Sequence, residues 1–209
     1  MKKSSLSIYI GIIIFLFAFI NVIYPSFPSS LSFDIHLLHN INMHRIPHFD
    51  NFWKFITNIS FIISLIIPLW ILIYGIRNKV TQIKWKGIFL CITWVLGTIV
   101  NVIIKFSVDR ERPFYEYPKL VEKLSTGGSP SFPSGHTAEA VSVAIAILLV
   151  YSHRKLSSTV VIIWALMVAY SRMCLGVHFP SDVLAGIGIG IFSAGLSLYI
   201  TERIAKQRI

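Results

Sequence analysis

The sequence predicts an all-α integral membrane protein, a bundle of six transmembrane helices with its active site at the outer membrane interface. Two observations carry the fold. Hydrophobic residues make up 55% of the 209 positions and charged ones only 13%, and mean hydropathy is positive. That balance belongs to membrane proteins rather than soluble domains. The apolar residues also fall into long runs, and a helix needs roughly 20 of them to cross a bilayer. The alternating ten-residue segments of a β-barrel wall are absent.

Taken in order, the runs predict spans at 6–24, 53–76, 86–105, 136–151, 158–174 and 183–201 within one domain, residues 1–209. Met1-Lys2-Lys3 before an apolar stretch resembles a secretory signal, but the stretch from Ile8 to Tyr24 is long and lacks a small-residue cleavage site, so it reads as an uncleaved first span. Pro68 removes a helix hydrogen bond from the second span and marks a kink or packing irregularity. The fourth and fifth spans are short and polar at one end. Gly97 in the third and Gly186, Gly188 and Gly190 in the sixth allow helices to approach closely. Cys91 and Cys174 lie in or beside apolar runs, with no disulfide framework or zinc-ligand spacing.

Charge sets the orientation. With the N-terminus inside, the inner segments hold Lys2, Lys3, Arg77, Lys79, Lys84, Lys86, Arg154, Lys155, Arg203, Lys206 and Arg208 against the single acid Glu202. The outer segments hold fewer cations and eight acids: Asp34, Asp50, Asp109, Glu111, Glu116, Glu122, Glu139 and Asp182. The positive-inside rule therefore places both termini of a multi-pass membrane protein in the cytoplasm. The net charge of +10 flanks the apolar runs instead of clustering on a polar domain, which argues against nucleic acid as a partner.

Two longer loops, 25–52 and 106–135, fall on the outer side. The first mixes Leu31, Phe33, Ile35, Leu37, Leu38 and Ile41 with His36, His39, His44 and His48, the pattern of an interfacial amphipathic helix. No ligand spacing recurs among those histidines, which read as a headgroup-facing surface.

Three clusters share that outer side: Lys105 through Arg112-Pro113, then Pro133-Ser134-Gly135-His136, then Ser171-Arg172 through His178 to Asp182. Lys105, Arg112 and Arg172 form a cation excess suited to a dianionic phosphoryl group rather than a divalent metal, arginine gripping oxygens in a planar fork and lysine adding a point charge. Taken singly, each also suits interfacial anchoring by snorkelling. Ser134-Gly135 precedes the fourth span, where free backbone N–H groups and the helix dipole favour an anion. Ser134 alone is equally explained as an N-cap. His136 in the first turn can protonate a leaving oxygen. Asp182, four residues after His178, can hold one imidazole nitrogen and aim the other for attack.

These residues complete Lys-x6-Arg-Pro, Pro-Ser-Gly-His and Ser-Arg-x5-His-x3-Asp, and with them the chain resembles the type 2 phosphatidic acid phosphatase superfamily. The resemblance implies that His178 is the nucleophile, Asp182 its orienting partner and His136 the general acid, then the base for water. It assigns Lys105, Arg112, Ser134, Gly135 and Arg172 to phosphate binding. The short six-span form is similar to the bacterial phosphatidylglycerophosphatase branch, whose members also act on undecaprenyl pyrophosphate, phosphatidic acid and other lipid phosphates.

Asn101 lies one turn before Lys105 and Glu139 one turn after His136, so each faces the pocket or bonds a neighbouring helix. Phe114, Tyr115 and Tyr117 form a lid or an interfacial aromatic belt. The expectation is a lipid phosphatase that needs no metal or other cofactor, works on a lipid phosphate within the bilayer and hydrolyses phosphatidylglycerophosphate to phosphatidylglycerol through a phosphohistidine. Undecaprenyl pyrophosphate or a broad substrate range is the alternative, with a lipid phosphotransferase or a non-enzymatic lipid transporter further off. Transport would need no oriented nucleophile, and the internal repeat common in transporters is absent. The sequence sets no oligomeric state.

Overall fold

The computed structural model describes residues 3–23, 28–151 and 155–206. Lys2, Arg154 and Arg208 of the inner-side charge pattern, and Tyr24 at the end of the first expected span, lie outside the described residues. The chain forms α1 (Lys3–Ile23), α2 (Pro28–Met43), α3 (Asp50–Arg77), α4 (Thr81–Val108), α5 (Pro113–Glu116), α6 (Gly135–Val150), α7 (Lys155–Cys174) and α8 (Pro180–Lys206), with no strand among the described residues.

Five helices, α1, α3, α4, α7 and α8, are long and apolar enough to cross a membrane. The fourth expected span is different. Its helix, α6, has 16 residues, which at 1.5 Å per residue is about 24 Å, short of a hydrocarbon core of about 30 Å. Its surroundings differ too, because α6 packs against α3, α4, α7 and α8 at the centre of the bundle. Ala138, Ala140, Val143, Ala144 and Ala146 are fully enclosed there.

The outer surface of the bundle is apolar instead. Ile13 and Phe17 of α1, Phe55 and Trp70 of α3, and Ile103 and Phe106 of α4 are all exposed, a face for lipid tails. Since lipid tails are as apolar as leucine, helix association relies on close packing by small residues. A Cβ added at Gly190 would lie 2.8 Å from the backbone nitrogen of Ser142 in α6, and one at Gly188 would lie 2.7 Å from that of Phe15 in α1. These glycines bring α8 against both neighbours. α3 runs on through the buried Pro68.

The first long loop does contain a helix, α2. Leu38 is fully buried in a cluster with Phe114, Leu175, Val177 and Phe179, while Phe33 faces outward. Buried Asn42 fastens α2 to the same end of the bundle, donating to the carbonyls of Cys174 at 2.8 Å and Glu122 at 3.1 Å and accepting from the Glu122 N–H at 2.7 Å. Two of the four histidines meet backbone carbonyls: His39 Nδ1 lies 2.7 Å from that of Leu120, far along the chain, and His44 Nδ1 3.1 Å from that of Asn40.

Candidate active site

Where α4 and α7 end beside the starts of α6 and α8, a cavity of about 420 Å³ opens. Its wall includes Lys105, Arg112, Gly135, His136, Glu139, Arg172 and His178, together with Phe61 and the loop Thr126–Ser129. All three sequence clusters therefore meet at one place. Thr126–Ser129 belongs to the long outer loop 106–135, but no motif singled out these four residues within it.

Local structure explains each placement. α4 ends because Asp109 adopts the left-handed conformation, φ 48°, that an aspartate tolerates better than most residues. Lys105, one turn earlier, points its ammonium at the loop, donating to the Pro130 carbonyl at 2.7 Å and the Pro133 carbonyl at 2.8 Å. An ammonium has three donors, so one remains.

Arg112 is 6% exposed and anchors the same loop. Its Nε donates to the Ser129 carbonyl at 2.8 Å, and its Nη1 donates to the Val177 carbonyl at 2.8 Å. Gly127 lies so close that a Cβ there would stand 2.7 Å from Arg112 Nε, so the loop backbone covers the guanidinium. Arg172, 2% exposed, donates through Nη1 to the Thr57 hydroxyl of α3, while its buried Nε has no partner. An unpaired guanidinium donor on a cavity wall suits an anion.

His178 sits in the turn between α7 and α8. Asp182, in the first turn of α8, reaches back: its Oδ2 lies 3.3 Å from His178 Nδ1 and accepts from the Phe179 N–H at 2.9 Å and from the Ser131 hydroxyl. The other ring nitrogen, Nε2, is 3.4 Å from Arg112 Nη1. Burial holds the His178 imidazole well below its ordinary range; Asp182 opposes this and Arg112 and Arg172 add to it. A neutral ring with its proton on Nδ1, donated to Asp182, turns the Nε2 lone pair toward Arg112 Nη1 and the cavity.

Two sequence-predicted residues stand behind the wall rather than on it. Ser134 is fully buried at the N-cap position of α6; its hydroxyl pairs with that of Thr137 at 2.9 Å and its N–H donates to the Asp182 carbonyl at 3.0 Å. It braces the start of α6, whose first two residues, Gly135 and His136, line the cavity. Asn101 is 4% exposed and lies under Gly135, where a Cβ would meet its Oδ1 at 3.3 Å. Glu139 does line the cavity, as the one carboxylate among three cations.

Phe114, Tyr115 and Tyr117 are not part of the wall. Phe114 is buried, and Tyr117 meets Phe179 edge-on at 6.2 Å. Among the described residues, no group of three His, Cys, Asp or Glu side chains is arranged to hold a metal ion.

Sequence reasoning missed the shell behind Asp182. Arg110, Asp34, Ser131 and Ser181 surround that carboxylate or its partners. Arg110 lies inside the Lys-x6-Arg-Pro interval, and its neighbourhood was the one available signal; nothing local marks Asp34.

Comparison with known proteins agrees with this arrangement. Residues 86–206 match the family model described as the PAP2 superfamily. Phosphatidylglycerophosphatase B of Bacillus subtilis is 31% identical over 153 residues, covering 69% of this chain and 72% of that protein. The undecaprenyl-diphosphatase BcrC of the same organism is 29% identical over 154 residues, covering 74% of this chain and 75% of its own. The crystal structure of a transmembrane PAP2-type phosphatidylglycerolphosphate phosphatase from Bacillus subtilis superposes with a TM-score of 0.74 at 26% identity, covering 94% of this chain and 98% of that one.

Proposed function

The chain belongs to the PAP2 superfamily and is a lipid phosphatase of that family, and from this we propose that it hydrolyses phosphatidylglycerophosphate to phosphatidylglycerol through a phosphohistidine on His178. The observation that carries the proposal is the two-sided environment of that imidazole, with Asp182 at Nδ1 and Arg112 at Nε2.

In the first step the Nε2 lone pair attacks phosphorus, the ester P–O bond breaks, and protonated His136 gives its proton to the departing glycerol oxygen. Asp182 holds the Nδ1 proton and balances the positive charge that the ring acquires. In the second step His136 takes a proton from water, the hydroxide attacks phosphorus, and the P–N bond breaks with its electrons returning to Nε2. Alcohol and inorganic phosphate are the products.

Charge on the equatorial oxygens is met by Arg112, the free donors of Arg172, the third Lys105 proton and the N–H groups of Gly135 and His136. With three cations in that role, the scheme calls for no metal ion or other cofactor. Ser134 acts by holding the α6 N-terminus.

The proposed setting is a bacterial plasma membrane crossed six times. α6 counts as the fourth span because protein rather than lipid surrounds most of it. Both termini lie in the cytoplasm, and the cavity opens at the outer leaflet, as the inner excess of Lys and Arg supports. A second reading, an isoprenoid pyrophosphatase, is favoured by the similarity to the undecaprenyl-diphosphatase over 74% of the chain.

The test is a panel of phosphatidylglycerophosphate, phosphatidic acid and undecaprenyl pyrophosphate presented in nanodiscs, with the product phosphate quantified and the phosphoenzyme trapped by rapid quench. The proposal expects the highest kcat/KM for phosphatidylglycerophosphate. A preference for the pyrophosphate selects the second reading, and phosphate appearing on another lipid makes the protein a transferase.

A further inference from the structure

Behind the nucleophile's carboxylate stands another. Asp34, on α2, accepts from the Ser181 N–H at 2.9 Å, from the Ser181 hydroxyl, and from Arg110 Nη2 at 3.0 Å. The same guanidinium turns Nη1 to Asp182 Oδ1 at 2.8 Å and to the Ser181 oxygen at 2.7 Å. Its carbon lies 3.9 Å over the ring of Phe179, the residue after His178. Arg110 is thereby held on three sides. Both carboxylates are enclosed, Asp34 at 6% exposure and Asp182 at 0%.

A charged trio in such a place is expensive to bury unless every partner is satisfied, and here each carboxylate oxygen of Asp34 and Asp182 has a donor. With Asp182 alone, Arg110 would cancel the charge that a cationic imidazole needs. With Asp34 also present the trio keeps a net negative charge.

We propose that Asp34 is a positioning residue for phosphoryl transfer, acting through Arg110 to aim Asp182 at His178 and to keep the Asp34–Arg110–Asp182 trio anionic. The inference rests on the reading of His178 as nucleophile. It also makes α2, which carries none of the three motifs, a working part of the site. Asp34 touches neither the cavity nor His178, so its loss acts on turnover rather than on substrate binding.

The charged and titratable groups facing His178 are Asp182 from α8, Arg112 from the segment after α4, Arg172 from α7, and Lys105, His136 and Glu139 across the cavity. None of them changes in the variants below. Removing the Asp34 charge makes a cationic imidazole harder to form, so the acid limb of kcat/KM moves to lower pH. Removing the Arg110 charge has the opposite sign. Substrate ionisation is common to all variants and drops out of the comparison.

The experiment uses the full chain in nanodiscs, with wild type, Asp34→Asn, Arg110→Gln and the charge-balanced double variant. Asp34→Asn is expected to lower kcat on the order of ten-fold with KM within about two-fold of wild type, the size of one lost charged hydrogen bond. Its acid limb should fall by on the order of one pH unit while that of Arg110→Gln rises by a similar amount. The double variant should return the limb to near the wild-type pH. Shifts of the same sign in both single variants, or none, overturn the proposal and leave Asp34 as a fastening for α2. If one single variant does not fold, the sign of the other decides alone, and if neither folds, a double variant displaced from the wild-type limb overturns it. A phosphoenzyme trapped in wild type and absent in His178→Ala tests the nucleophile separately, so a failed shift with that signal intact counts against Asp34 only.

Discussion

Arg112 and Asp182 hold opposite edges of the same imidazole: Asp182 Oδ2 is 3.3 Å from Nδ1 of His178 and Arg112 Nη1 is 3.4 Å from Nε2. The guanidinium therefore stands beside the nitrogen that, in the proposed mechanism, meets phosphorus. In that mechanism an arriving phosphoryl oxygen meets a planar donor fork already held by carbonyls, Nε by that of Ser129 and Nη1 by that of Val177. Such a fork is preorganised and loses little freedom on binding.

Arg112→Gln should therefore lower kcat/KM by about 10- to 100-fold, the range for a lost charge-assisted hydrogen bond of about 1.5–3 kcal/mol. It should also move the acid limb. Arg112 helps depress the His178 pKa, so removing that charge raises it, the ring is protonated earlier on acidification, and activity falls off at a higher pH than in wild type. Steady-state pH profiles of both proteins check the sign.

The two histidines should separate by leaving group. With an activated aryl phosphate, whose departure needs little protonation, His136→Ala should recover relatively more phosphoenzyme formation than with a lipid monoester, whereas His178→Ala should recover none. Rapid-quench trapping is needed, because slow hydrolysis in His136→Ala conceals the recovery in steady state. Label trapped on His178→Ala but never on wild type would reverse the assignment.

Lys105→Met should cost stability as well as activity. The ammonium ties the Pro130 and Pro133 carbonyls, so its loss removes two charged hydrogen bonds of about 1.5–3 kcal/mol each. A lower melting temperature in detergent, alongside loss of turnover, is the expected pair of results. Loss of turnover with an unchanged melt would mean that the lysine acts on phosphate alone.

Orientation can be read by labelling. In a background free of Cys91 and Cys174, a cysteine at Ser125 should react with an impermeant reagent from outside intact cells, and one at Ser157 should not. The reverse pattern would place the cavity at the cytoplasmic leaflet.

Activity should survive excess chelator and be inhibited by vanadate, which can form a five-coordinate adduct on His178. A strict requirement for added magnesium would count against the cation scheme and assign Lys105, Arg112 and Arg172 another task.

Much of this protein was legible in one dimension. The five long apolar helices declared themselves because hydropathy is a local property and a bilayer sets a minimum length for it. The three motifs did so because each is only four to twelve residues long and lies at one end of an apolar run. Tertiary structure alone decided what stands on the cavity wall and what stands behind it. Ser134 and Asn101 share their motif or turn with wall residues, and helix packing, not spacing, turned them away. It also decided the partners of Asp182. Arg110 meets it across 72 positions and Ser131 across 51, and Arg110 in turn meets Asp34 across 76. Such pairs leave no periodic trace, because a buried polar contact is selected by the geometry of the helices that carry it and not by its neighbours in the chain.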